Sequence, residues 1–277
     1  MVESVFAARS LDPVDVPEAR ELATSLGAHG VYVANVLSRD ATIGESGEVI
    51  ALHGRDALLG LLFFGERGNL IVLEREALSP AAVGRAIADS GQPWRIVLGP
   101  FDVVEELARA QARAPLVHRW QKYFGLRLAA APGASDQGVR LAERRDLAML
   151  TAAALDLNHS DLHVDPADVH RGWLKETLRR RIRKAHTWVL AEAGEPLCKL
   201  DLGSGGPAGL MLEGVYTVPH ARGRGLATRL VAAVAASVGA GYPLVCLHVA
   251  ADNTPARRAY VRAGMVELGE CRLLLRR

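Results

Sequence analysis

The feature that most limits the fold of this chain is residues 211–238, where a short extended run is followed by a glycine-containing turn and an amphipathic segment. Residues 215–218 are β-branched or aromatic, as strands favour, and Pro219 ends the run. From Leu226 onward an apolar residue recurs at every fourth position, which places these side chains on one face of a helix. The stretch therefore predicts a strand, a tight turn and a helix, in that order.

The turn itself reads Arg222-Gly223-Arg224-Gly225. A glycine turn that leads into a helix leaves backbone N–H groups free at the positive end of the helix dipole, which suits a phosphate or pyrophosphate. Backbone geometry alone also explains glycine at such a turn, so both interpretations stay open. A Walker A loop is excluded because the turn lacks its lysine, and a dinucleotide fingerprint would need glycine where Thr228 stands.

The residues before this turn predict an antiparallel meander. Residues 188–193 and 197–202 read as strands joined by a Gly-Glu-Pro turn, and the glycine-rich segment 203–207 leads into the strand at Met211. Dinucleotide-binding domains are instead built on an open parallel sheet with helices on both faces. The meander therefore argues against a domain of that type.

Two motifs carry a resemblance to a known family. Arg222-x-x-Gly225-x-Ala227 resembles the acetyl-CoA signature Arg/Gln-x-x-Gly-x-Gly/Ala of the GNAT superfamily of acetyltransferases, and it follows a predicted strand as it does there. Farther along, Asn253 precedes a predicted helix that carries Tyr260, which is similar to the second motif of that superfamily. The resemblance covers the second half of the chain.

The resemblance implies that an amine attacks the thioester of acetyl-CoA directly, without an acyl-enzyme. The strand backbone would hold the acyl and pantetheine part and the turn would hold the pyrophosphate. The implied cofactor-binding residues are Val215, Tyr216, Thr217, Val218, Arg222, Gly223, Arg224, Gly225, Leu226, Ala227, Thr228 and Asn253. For Asn253, helix capping is the role we favour over cofactor contact. Tyr260 would protonate the leaving thiolate, although packing alone also explains it.

Glu213 is our candidate for the general base. We expect it to point to the same side of its strand as Val215 and Thr217, and an ordinary surface glutamate is the competing interpretation. His248 is the reserve candidate. Cys246 lies on the same face as His248, but a buried strand cysteine is usually inert and direct transfer needs no nucleophile.

The polar segment 158–165 is predicted to be a loop between a helix over 143–157 and a second helix over 166–184, which would bury Trp173. In GNAT proteins the region between the first two helices borders the acceptor pocket. The resemblance therefore implies that His159, Asp161 and His163 contact the acceptor. A metal site is disfavoured because the segment has neither a helical H-E-x-x-H pattern nor a nearby cysteine.

The N-terminal half predicts elements in a similar order, with strands near residues 49–53, 57–64 and 69–73 and a helix that Pro80 opens. Residues 74–78, however, stand where a glycine turn should be, and they contain two carboxylates and no glycine. We therefore interpret this half as a degenerate, non-catalytic copy of a GNAT domain. The predicted organisation is a degenerate domain over 1–130, a linker over 131–137 and an acetyltransferase domain over 138–277.

Composition limits the remaining choices. The 277 residues suffice for one large or two ordinary domains, and a formal net charge of +2 argues neither for nor against an anionic polymer. Three cysteines far apart in predicted strands are typical of a reducing compartment. The start of the chain lacks the features of a signal peptide, and no apolar run approaches the length of a membrane span. We expect a cytoplasmic protein.

The sequence as a whole predicts an α/β protein of α+β type, made of two GNAT-like domains, each a mixed, largely antiparallel sheet flanked by helices. The predicted function is transfer of an acetyl group from acetyl-CoA to a small-molecule or peptide amine. A non-catalytic acyl-CoA sensor and a transferase for longer acyl chains are the alternatives. We expect no metal and no nucleic-acid or membrane partner; the sequence leaves homodimerisation open. The arginine-rich second helix predicts a solvated face or, alternatively, a docking patch for an acidic partner.

Overall fold

The computed structural model describes residues 6–38, 47–126 and 136–277. These residues divide into two compact units. Unit 1 contains the described residues up to Tyr123, a short insertion at Gly206–Ala208 and the C-terminal segment Leu268–Arg277. Unit 2 contains the described residues of Phe124–Gly205 and Gly209–Glu267.

The strands alternate with helices along the chain as the sequence predicts. The strands of the first half are β1 (Ala7–Ser10), β2 (Gly47–His53), β3 (Leu58–Gly65), β4 (Asn69–Glu74), β5 (Ile96–Gly99) and β6 (Val117–Leu126). Those of the second half are β7 (Val139–Leu141), β8 (Thr187–Glu192), β9 (Glu195–Gly206), β10 (Gly209–Thr217), β11 (Val245–Ala250) and β12 (Val266–Leu275).

Eight α-helices lie in the described part of the chain. They are α1 (Val16–Ser25), α2 (Val31–Leu37), α3 (Pro80–Asp89), α4 (Phe101–Arg109), α5 (Leu147–Leu162), α6 (Arg171–Arg183), α7 (Leu226–Val238) and α8 (Thr254–Arg262). None of these helices is long and apolar enough to cross a membrane.

Unit 1 is a mixed sheet with an apolar cluster on each face. Its strand order is β1-β2-β3-β4-β5-β12-β6, and only β4 and β5 form a parallel pair among the pairings whose register is defined. Side chains alternate along β2, so Val49 and Ala51 pack with α1 and α2, whereas Ile50 and Leu52 pack with α3 and α4. This period of two gives the sheet two buried faces.

Unit 2 contains the strand order β11-β10-β9-β8-β7, in which β10 and β11 are parallel and β8 pairs antiparallel with both β7 and β9. One face packs against α7 and α8, with Leu230 and Tyr260 in that cluster. The other packs against α5 and α6 through residues such as Leu150 and Leu178. The predicted fold class, a largely antiparallel mixed sheet flanked by helices in each half, is confirmed.

Strand β12 links the end of the chain to the sheet of its first half. Residues 272–275 of β12 pair antiparallel with 96–99 of β5. Conversely, the last residues of β6, a strand of the first half of the chain, belong to unit 2 from Phe124 onward. The predicted boundary at 138 therefore differs from the compact units, which draw on strands from both halves. The predicted linker over 131–137 lies outside the described residues except for its last two.

Candidate functional site

Strand β10 is followed by a 3-10 turn at Pro219–Ala221, and the turn from Arg222 to Gly225 then leads into helix α7. Gly223 and Gly225 have φ of 79° and 77°, the left-handed region that side chains rarely adopt, and a Cβ at either position would meet no heavy atom within 4 Å. The glycines are therefore needed for backbone conformation, and the turn stays uncrowded. Gly225 is the N-cap of α7 and brings no side-chain cap.

The first N–H groups of α7 have no acceptor inside the helix, and Gly225 brings no side chain to accept from them. Leu226 is buried and anchors the helix, whereas Ala227 and Thr228 are partly exposed beside the turn. The Thr228 hydroxyl donates to the Ala259 carbonyl of α8 at 3.2 Å, which ties the two helices together. The turn thus presents backbone donors and the positive helix end to solvent from a fixed base.

Arginines surround this turn, and each is held by an acidic side chain. Arg222 reaches Asp156 at 3.4 Å, donates from Nε to the Thr217 carbonyl at 3.1 Å and lies over the Tyr216 ring. Arg224 bonds Glu192. These contacts are exposed, and exposed ion pairs are weak, so an incoming phosphate can replace the acids.

Arg229, one turn into α7, adds a third cation. It donates to the Asp136 carboxylate at 2.7 and 3.0 Å and to Glu192 at 3.3 Å. The hydrogen bond from Arg229 lowers the pKa of Asp136. The pKa of Glu192 is lowered by its hydrogen bond from Arg224 and, to a smaller extent, by the one from Arg229. Both carboxylates are therefore ionised at neutral pH.

Strand β10 separates from β11 as it approaches the turn. The parallel ladder joins Leu210 to Val245 and Met211 to Cys246, and within the described residues of these two strands it extends no farther. Beyond it, β10 continues to Thr217 with its edge toward β11 unpaired by that strand. Not every backbone group there is available, because the Val218 N–H donates to the Leu197 carbonyl at 2.9 Å.

Gly214 interrupts the alternation of β10, and this corrects one prediction. Its φ is 55°, and the strand shifts by one residue there, so Leu212 and Val215 both pack on the α7–α8 side. Glu213 faces the other way and forms an ion pair with Arg181 of α6 at 3.4 Å. The prediction that Glu213 shares a side with Val215 and Thr217 is wrong, because it assumed an unbroken period of two.

Tyr260 lies in α8, buried against Phe124 with ring centroids 6.0 Å apart. Burial raises the pKa of its phenol, and Cys198 and Asp161 raise it further. The phenol is therefore protonated at neutral pH and can serve as a proton donor. Nearby, the Thr217 hydroxyl donates to the Cys198 sulfur at 3.3 Å.

The predicted acceptor residues lie at the end of helix α5. The loop was predicted over 158–165, but residues 158–162 are helical: His159 and Asp161 belong to α5, and His163 is its left-handed C-cap with a φ of 52°. Asp161 lies within electrostatic range of Tyr260, whereas His159 is exposed. Among the residues that the structure describes, no group of three His, Cys, Asp or Glu side chains could hold a metal ion.

The second helix departs from its prediction in two ways. It begins at Arg171, after His170 caps it by accepting the Trp173 N–H at its Nδ1 atom, 3.0 Å away. Trp173 is 57% exposed, so the prediction that it is buried is wrong. The apolar face of α6 passes instead through Leu174 and Leu178.

The remaining predicted residues have defined positions as well. Asn253 is the N-cap of α8 and accepts the Ala256 N–H at 3.2 Å, the capping role that we favoured. His248 is partly buried in β11. Burial raises the pKa of the Cys246 thiol to about 12, so this thiol is not a nucleophile at neutral pH.

Sequence reasoning missed a buried charged cluster beside Glu213. Lys199 and Asp201 of β9 are 3% and 7% exposed, and the lysine Nζ donates to the Asp201 Oδ2 atom at 2.7 Å. Their spacing of two residues placed them on one face of a strand, but nothing in the sequence showed that α6 covers that face. The Thr187 hydroxyl donates to the other Asp201 oxygen at 2.6 Å.

In unit 1 a side chain binds the backbone of β4 close to the end of the strand. The Val72 carbonyl, one residue beyond the β4–β5 ladder, is bound by the His29 Nε2 atom at 2.9 Å. His29 Nδ1 lies 2.8 Å from the Tyr123 hydroxyl. At the end of β4 stands Glu74, and burial raises the pKa of its carboxyl to about 7.

Comparisons with known proteins agree with this architecture. A family model described as FR47-like protein matches residues 207–273, which include β10, the turn and α8. A comparison with curated protein sequences gives no match.

Solved structures resemble the chain over nearly its whole length. A GCN5-related N-acetyltransferase from Sphaerobacter thermophilus is 15% identical, with a TM-score of 0.60 over 97% of this chain and 94% of its own. A GNAT-family acetyltransferase from Colwellia psychrerythraea is 10% identical, with a TM-score of 0.55 over 98% and 99%. A tandem GNAT protein from the clavulanic acid biosynthesis pathway is 12% identical, with a TM-score of 0.51 over 98% of each chain.

The class that the fold and these comparisons define is a two-unit mixed α/β protein of the type found in acetyltransferases. The fold is that of the GNAT superfamily, so the resemblance carried by the two sequence motifs is confirmed.

Proposed function

We propose that the protein is an acetyl-CoA-dependent N-acetyltransferase and that its reaction takes place in unit 2. The observation that carries the proposal is the uncapped, uncrowded turn Arg222–Thr228 at the end of a strand that has separated from its parallel neighbour. Backbone donors, a helix dipole and exchangeable arginines suit a pyrophosphate, and the free strand edge suits the amide groups of pantetheine.

The reaction has simple requirements. The acceptor ammonium must lose a proton, its nitrogen must form a bond to the thioester carbon while the C–S bond breaks, and the thiolate must gain a proton. Glu213 is the proposed acceptor of the first proton. Tyr260 is the proposed donor of the last, as the second sequence motif implies. His159, Asp161 and His163 remain proposed acceptor contacts, and Asp161 is the one near Tyr260.

Unit 1 is proposed to be non-catalytic. Its strand carbonyl at Val72 is occupied by His29, and a carboxylate stands at the end of β4 where a phosphate would need a positive environment. Both features support the interpretation of a degenerate copy. We further propose that the protein works in the cytoplasm.

A transfer assay with acetyl-CoA and a panel of amines tests the proposal, with release of free CoA thiol as the signal. Arg224→Glu should abolish cofactor binding and turnover, because it places a carboxylate at the turn beside Glu192. Arg180→Glu makes the same charge change on an exposed face of α6 and should retain both. Unchanged affinity in Arg224→Glu would remove the phosphate-binding role of the turn.

Two other outcomes would replace the proposal. Tight acetyl-CoA binding without transfer to any amine would favour a non-catalytic acyl-CoA sensor. Faster transfer from longer acyl-CoA thioesters than from acetyl-CoA would favour a transferase for longer chains.

A further inference from the structure

The buried cluster in unit 2 holds one arginine in a fixed position. Asp201 receives Thr187 on one oxygen at 2.6 Å and Lys199 on the other at 2.7 Å. The Arg181 Nη1 atom approaches the same oxygen as Lys199, at 3.5 Å. Because Lys199 and Asp201 are almost fully buried, this cluster is a rigid base for the Arg181 guanidinium.

The cluster also fixes the backbone next to Glu213. A Cβ on Gly214 would lie 2.7 Å from the Lys199 Nζ atom and 3.2 Å from the Asp201 Oδ2 atom. The bulge of β10 therefore rests directly on the Lys199–Asp201 pair. Glu213, immediately before the bulge, is positioned from two sides: by this backbone and by Arg181.

The ion pair between Arg181 and Glu213 is fixed in position, but its hydrogen bond is long. The Arg181 Nη2 atom lies 3.4 Å from the Glu213 Oε2 atom, whereas good charge-assisted bonds are about 2.7–2.9 Å long. Arg181 Nη1 is enclosed yet makes no hydrogen bond of good geometry. The two side chains are 29% and 37% exposed, so a ligand can reach both.

A pair of this kind fits a ligand that carries both charges close together. A guanidinium suits a carboxylate because it presents two parallel donors, and a carboxylate suits an ammonium. An α-amino acid has both groups on one carbon. A lysine side chain or a simple amine brings only the ammonium, and a peptide N-terminus brings an amide in place of the carboxylate.

Resting on the proposed transfer function, we propose that Arg181 and Glu213 bind the carboxylate and the ammonium of a free amino acid, which is the acceptor. The substrate carboxylate replaces Glu213 as the partner of the Arg181 guanidinium, and Glu213 can then accept one proton from the ammonium. The nitrogen then forms the amide bond as the C–S bond breaks. The Tyr260 phenol protonates the thiolate, the second proton of the nitrogen and the proton on Glu213 pass to solvent, and solvent returns one proton to Tyr260.

Matched substrates test this assignment. Each of several amino acids is compared with the amine left after removal of its carboxylate, for example phenylalanine with 2-phenylethylamine. A hydrogen-bonded charged group contributes about 1.5–3 kcal/mol, which corresponds to a preference for the amino acid of roughly tenfold to a hundredfold in kcat/KM. A wild-type preference for the amines would overturn the assignment.

Variants identify the residue responsible. In Arg181→Gln the kcat/KM values of each amino acid and its matched amine should lie within about twofold of one another, because the tenfold to hundredfold preference is lost. Arg180→Gln, the neighbouring exposed arginine, should keep the wild-type preference. Arg181→Lys retains the charge without the fork and should lose a large part of the preference, which provides a second test if the glutamine variant is unstable. A preference retained in both Arg181 variants would overturn the assignment.

A binding measurement separates this inference from the proposed function. Amino acids are titrated into the CoA-loaded protein and detected by saturation-transfer NMR, which needs no turnover. Binding that Arg181→Gln abolishes would support the amino-acid site even if no acetyl transfer occurred, in which case only the transfer function fails. Absence of amino-acid binding to a protein that still binds CoA would refute the site itself.

Discussion

The C-terminal strand should stabilise the first half of the chain. Leu274 is fully buried in unit 1 among residues of β2 to β5, α3 and α4, although it lies only three residues from Arg277. Replacing a buried leucine with alanine costs about 2–5 kcal/mol because it removes apolar contact and leaves a cavity. We therefore expect Leu274→Ala to destabilise unit 1 by about 3 kcal/mol.

Hydrogen exchange followed by mass spectrometry locates this loss. A cost of about 3 kcal/mol raises the population of the open form roughly a hundredfold, so peptides from β2 to β5 should exchange about a hundredfold faster. Peptides from β8 and β9 should change little. Leu268→Ala, at a position of the same strand that is 40% exposed, is the control and should leave exchange nearly unchanged. Faster exchange confined to unit 2 would refute the assignment of β12 to the sheet of unit 1.

Three further changes test other parts of the structure. Burial raises the pKa of Glu74 from 4.5 to about 7, so the folded state binds this proton more tightly than the unfolded state. The free energy of unfolding should therefore fall as the pH rises from about 4.5 to about 7. Denaturant titrations should show that Glu74→Gln removes this part of the pH dependence. Gly225→Ala should lower stability by about 1–2 kcal/mol in thermal unfolding, because alanine resists the left-handed conformation, and should weaken CoA binding; an unchanged melting temperature would contradict the backbone role. Tyr260→Phe should lower turnover while sparing acetyl-CoA affinity, and full activity would leave Tyr260 as a packing residue.

The strand, turn and helix around Arg222–Gly225 could be predicted because local rules determine them. Positive φ at two positions requires glycine, and the apolar repeat from Leu226 defines the buried face of the helix. Asn253 could likewise be predicted as a cap, since its side chain acts on a backbone group three residues away.

The side on which Glu213 lies could not be predicted, because a single bulge reverses the alternation of a strand. Gly214 was visible in the sequence, but its left-handed conformation and the Lys199–Asp201 pair packed against it were not. That pair was itself hidden, because a lysine and an aspartate two residues apart normally indicate a solvent-exposed face.

The pairing of β12 with β5 in unit 1 also could not be predicted from periodicity. The pattern of residues 266–275 indicates a strand, but a strand carries no local signal for which sheet it joins. Similarly, the end of α5 was predicted near residue 157 because the segment that follows is polar, whereas the helix continues to Leu162 and ends in a left-handed cap at His163. Tertiary packing, which a local pattern does not contain, determines both features.

The central claim is that the turn of unit 2 binds the pyrophosphate of a CoA thioester. Calorimetric titration of the wild-type protein with acetyl-CoA, CoA and NAD tests it most directly. Acetyl-CoA and CoA should both bind, since both carry the pyrophosphate and pantetheine, and NAD should not. No binding of either CoA compound would contradict the account and would leave the turn with a structural role only.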